Sequence, residues 1–103
     1  MNMSDRIEVN AVAFQEGDVW VAQCVEFDIA ARAASLSGLK AAFERAVAAN
    51  LCVNVELGRT GFDGIPAAPA EFQRMFDAAD VSVRPVRRGR RGGVKIGDLR
   101  LAA

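Results

Sequence analysis

Histidine and tyrosine are absent from this 103-residue chain, and tryptophan occurs only once. Without histidine the commonest general base is missing, and so are the Ser-His and Cys-His pairs that activate nucleophiles. Cysteine occurs twice, at Cys24 and Cys52, far apart and with no histidine to complete a zinc site. The glycines around Gly61 and Gly64 do not make a phosphate loop. No cofactor, no metal and no catalysis are therefore expected. No apolar run approaches the ~20 residues that span a bilayer. The opening Met1-Asn2-Met3-Ser4-Asp5 lacks the basic-then-apolar pattern of a secretory signal. The expected compartment is the cytoplasm, with no membrane partner. There the two cysteines are expected as reduced core residues rather than a disulfide.

What is present suffices for one domain. Hydrophobic residues make up 51% of the chain, slightly above the usual globular share. The 13 basic and 13 acidic residues cancel overall but are unevenly placed. From Arg84 onward seven basic residues stand against one acid, Asp98, which leaves six bases and twelve acids before that point. An acidic body carries a basic tail. The expected division is an α+β domain over 1–86 and a basic, partly mobile tail over 87–103.

Along the chain, Ile7, Val9, Ala11 and Ala13 alternate with Arg6, Glu8 and Asn10, the pattern of a half-buried strand. Glu16-Gly17-Asp18 reads as a turn, with Gly17 free to take the positive φ of a tight hairpin. Val19–Cys24 is then the antiparallel return, and Ile29–Ala33 a weaker third strand. Ser35 is a good helix N-cap. After it Leu36, Leu39, Phe43, Ala46, Val47 and Leu51 recur at spacings of three and four, predicting a long amphipathic helix that ends near Gly58. A Gly/Pro-rich loop leads to Pro69 and a short second helix to Ala79. Val81–Val86 contains Pro85, so it is an edge strand at best. Residues 87–93 are expected to be mobile, and Val94–Ile96 with Leu99–Leu101 to add a short strand. The fold class is thus α+β: a three-stranded antiparallel sheet, with an added edge strand, packed on one long amphipathic helix, with a short second helix.

The stretch Phe14-Gln-Glu-Gly-Asp-Val-Trp-Val-Ala-Gln-Cys-Val-Glu-Phe-Asp28, followed by a third strand and Ser35-Leu36 at a helix start, resembles the HicB-type antitoxin family. The resemblance covers roughly residues 6 to 57. It implies a partly degraded ribonuclease-H-like fold that binds and silences a small messenger-RNA-cleaving toxin, HicA. The family's two acids after the Ser-Leu pair are replaced here by Ser37 and Gly38, and no DNA-binding domain of the family's kind follows.

The candidate partner-binding residues are Glu16, Asp18, Glu26 and Asp28 as charges for a basic toxin, with Trp20 and Phe27 as core residues or apolar anchors. Asp18, Glu26 and Asp28 are read as solvated or partner-facing acids rather than a nuclease metal site, which needs several carboxylates converging on the metals. The alternative function is nucleic-acid binding or oligomerisation through Arg87, Arg88, Arg90 and Arg91. That signal is weaker, because the run has no aromatic to stack on bases and no helix to enter a groove. Open sheet edges predict a homodimer or higher oligomer.

Overall fold

The computed structural model describes residues 7–83, 90–91 and 94–102. Strand β1 (Ile7–Glu16) turns through Gly17-Asp18 into β2 (Val19–Cys24), with Glu16 paired to Val19 and Ala11 to Cys24. Gly17 takes φ 61°, the positive value that so short a reversal requires. β3 (Ala30–Ala33) pairs antiparallel with β2, Trp20 opposite Ala33. These three strands stand where the alternation places them.

Helix α1 (Leu36–Glu56) follows, its N-cap Ser35 accepting a hydrogen bond on Oγ from the Gly38 N–H at 3.2 Å. Leu39, Phe43, Val47 and Leu51 seat its inner face on Val9, Ala11, Ala22 and Cys24. Gly58, at φ 74°, lies just past the helix end. Buried Asn54 then pins the following loop: its side-chain amide donates to the carbonyls of Gly61 (2.7 Å) and Asp63 (3.1 Å).

Helix α2 (Ala70–Ala78) packs on the other face of the sheet, where Phe76 is buried with Val12 and Val25, and Phe72 stacks on Phe14 at 6.0 Å. The expected sheet with one covered face is thus corrected to a sheet with a helix on each side. The even-numbered residues of β1 carry the reason, since Val12 and Phe14 give its second face its own apolar patch.

The larger correction concerns the sheet. It is mixed, ordered β3-β2-β1-β6-β4, where β4 is Val81–Ser82 and β6 is Val94–Leu101; β5 (Arg90–Arg91) pairs β6 off this path. β6 runs parallel to β1 and buries Ile96 and Leu99 in the main core. A parallel neighbour needs a long crossover, which no local turn signal announces. The boundary expected at residue 86 therefore cuts away an inner strand of the sheet. Of the stretch 87–93, expected to be mobile, the described residues are Arg90 and Arg91. Arg90–Arg91 pairs antiparallel with Lys95 and Val94, so that the start of β6 has a neighbour on that side too. Arg87 and Arg88 lie outside the described residues.

β6 also keeps an irregularity. Val9 pairs Ile96 and Ala11 pairs Leu99, so β6 spends three residues where β1 spends two. Asn10 fills the gap, its side-chain oxygen accepting from the Asp98 N–H at 2.7 Å. Gly97 makes this approach possible. A Cβ there would drive into the Asn10 side-chain oxygen and the Glu8 carboxylate.

Candidate partner-binding site

The six candidate residues divide between the two ends of β2. Glu16, Asp18 and Trp20 stand at the hairpin end. Glu26, Phe27 and Asp28 follow Cys24 at the other. Trp20 and Cys24 are four residues apart along β2, about 13 Å at ~3.3 Å per step, and Glu16 and Asp18 lie farther still, so no single patch unites them.

At the far end Glu26 and Phe27 are half-buried and engaged within the fold, while Asp28 is exposed. The Glu26 carboxylate accepts from the Asn10 backbone N–H and from its side-chain amide, both at 2.7 Å, and from the Cys24 thiol at 3.4 Å. Phe27 stacks on Phe62 with centroids 4.5 Å apart and bridges to Ala67. The Asp28 N–H donates to the Pro66 carbonyl at 2.8 Å, and its carboxylate accepts from buried Gln23 at 3.4 Å. Asn10 and Cys24 thus take up the Glu26 carboxylate, and the loop after α1 covers Phe27. Their structural role outweighs partner contact, because a carboxylate with three donors has little acceptor capacity left.

The thiol at this junction has a distinct chemistry. Cys24 is fully buried, and that burial pushes its pKa from 9.0 up to about 11, with the negative charge of Glu26 adding to the rise. It holds its proton at neutral pH and is a poor nucleophile. Cys52 does not share the expected core position: it is exposed on α1, and both thiols are free. Among the described residues no group of acids and cysteines is placed to hold a metal ion.

The hairpin end is different. Glu16 and Asp18 are exposed, and Glu16 forms a solvent-exposed ion pair with Arg32 of β3 at 3.4 Å. Trp20 is half-buried and packs against the main core on the α1 side. β3, next to it, is the outer strand of the sheet, with β2 as its one partner among the described residues. Sequence reasoning missed Asn10 and Gly97 here. A lone Asn in an alternating strand was the only signal for the first, and the glycine that interrupts the Val94–Leu101 alternation the only one for the second.

Together these features define an α+β domain with a mixed sheet between two helices, and no helix of the described residues is long and apolar enough to cross a membrane. Comparisons with protein-family models, curated proteins and solved structures return no match.

Proposed function

We propose that the chain is a protein-binding module of the HicB-like antitoxin kind, which neutralises a small, basic, RNA-cleaving toxin by covering it. The observation that carries this reading is the hairpin end of the sheet, where exposed Glu16 and Asp18 flank β3, an outer strand with one edge open among the described residues. An open edge can accept a strand of a partner, with backbone hydrogen bonds supplying affinity. Exposed carboxylates beside it select a basic partner and speed the encounter. The order of meander and capped helix, on which the HicB resemblance rests, supports the same reading. Glu26 and Phe27 enter it as supports of the fold, while exposed Asp28 is a further charge for the partner.

The test is calorimetric titration of the protein with the product of the adjacent reading frame. Binding is expected, weakened about tenfold or more when Asp18→Lys and Glu16→Lys are combined, and weaker in high salt. Failure to bind, or binding untouched by the double substitution, sinks the proposal.

A further inference from the structure

The open edge of β3 offers a definite set of backbone groups. The Cys24 N–H donates to the Ile29 carbonyl at 2.9 Å, and the same register pairs Ala22 with Ala31 and Trp20 with Ala33. Hydrogen-bonded pairs alternate along an antiparallel ladder. Ala31 and Ala33 therefore spend their N–H and C=O groups on β2. Those of Ala30 and Arg32 point away from the sheet, and both residues are exposed.

Charge along this edge also has an order. Asp28 stands exposed just before the strand, its carboxylate 3.4 Å from the Gln23 amide. Arg32 stands near the other end. Gln23 pairs Ala30 and Val21 pairs Arg32, while the same two β2 residues pair Val12 and Phe14 of β1. Both charges thus lie on the α2 side of the sheet.

We infer that β3 pairs antiparallel with β3 of a second copy, about a twofold axis that passes beside Ala31 perpendicular to the sheet. That register sets Ala30 of each copy opposite Arg32 of the other, and every outward backbone group of the two strands gains a partner. Opposed residues share a face, so α2 side meets α2 side. Arg32 then extends over the small Ala30 to the diagonal position beyond it, which Asp28 of the second copy occupies. Such diagonals span roughly 7–8 Å and lie within reach of a long side chain. The axis repeats the contact, so each copy gives one acid and takes one, as an isologous interface requires. The two Arg32 side chains share the other diagonal, but Glu16, 3.4 Å away on its own copy and level with the chain beyond Arg32, draws each away from the axis. A register with Arg32 directly opposite Arg32 would set like charges together, so the charges select the register too.

A strand of four residues makes a small interface, below roughly 1,200 Å², and the dimer forms and dissociates with concentration. The edge is the one assigned above to a toxin strand. The second copy therefore covers it until such a partner displaces that copy, and this consequence alone rests on the proposed function.

Sedimentation equilibrium from low micromolar to millimolar protein should show monomer and dimer in exchange. Arg32→Pro removes an outward N–H that the fold does not use and should abolish the dimer. Arg32→Glu and Asp28→Arg should each weaken it about tenfold, and their combination should restore it, with melting curves confirming that every variant folds. Ala31→Cys, combined with Cys52→Ser, should give a disulfide-linked dimer on oxidation with copper phenanthroline. Facing residues of that kind of pair have Cα atoms about 4.5 Å apart, within bridging range. A monomer at all concentrations overturns the inference. So does a dimer that survives Arg32→Pro and leaves the Ala31→Cys variant unlinked. No toxin enters these measurements, so their failure leaves the proposed function standing, and failure of the neighbouring product to bind leaves the dimer standing.

Discussion

The two faces of the sheet are held by different physics. Under α1 lies a continuous apolar cluster in which Val9, Leu39, Phe43, Val47 and Cys24 meet with almost no exposure. Under α2 the buried cluster among the described residues is Val12, Val25 and Phe76, and directed contacts finish the work. The Arg100 guanidinium sits 4.2 Å from the centre of the Phe76 ring and donates to the Phe76 carbonyl at 3.1 Å. Its Nε donates to Asp98 at 3.0 Å. Asn10, on the same side of β1 as Val12, ties β6 and Glu26 to the strand. One face gains stability from area removed from water, which is tolerant of detail. The other depends on a few groups that lose everything if one partner is removed.

The sharpest way to break this contrast is to truncate the first face. Phe43→Ala should cost about 3–5 kcal/mol, the usual range for an aromatic removed from a packed core, read by urea denaturation. A loss under ~1 kcal/mol would mean that the α1 face is not the principal core.

A titration probes the same face more selectively. The Cys24 thiol ionises near 9.0 when unfolded and near 11 when folded, so the folded state holds its proton longer. The stability this confers is complete below about pH 9 and is lost as pH rises through 11. The rise from 9.0 to about 11 corresponds to about 2–3 kcal/mol. Cys24→Ala should flatten that part of the stability profile; an unchanged slope between pH 9 and 11 would assign it to other groups.

On the second face the expected effect is smaller but more local. Asn10→Ala strips the Asp98 N–H of its acceptor and Glu26 of its side-chain donor, at a cost of about 2 kcal/mol in this half-buried setting. Hydrogen exchange should then rise first in β6, before the β1–β2 hairpin responds. Uniform exchange through the sheet would show that Asn10 does not specifically hold β6.

Much of the first face is legible in the sequence. The alternation of Ile7 to Ala13, the glycine of the hairpin turn and the spacing of Leu39, Phe43, Val47 and Leu51 each encode a local choice. The candidate site is less legible. Glu26 looks like a surface acid and Phe27 stays open between core and anchor because their partners, Asn10 and Phe62, are 16 and 35 positions away and nothing local reveals the pairing. Asp18 and Glu16 need no partner to be exposed in a turn, and they are found there.

The sequence by itself determined the meander, the capped helix and the face that α1 buries, because hydrogen-bond reach and side-chain periodicity act over a few residues. Only the tertiary structure decided that β6 enters between β1 and β4, that α2 closes the second face, and that Glu26 turns inward while Glu16 stays in water. Those outcomes depend on which distant groups satisfy one another once burial has removed the solvent, and chain order carries no local trace of it.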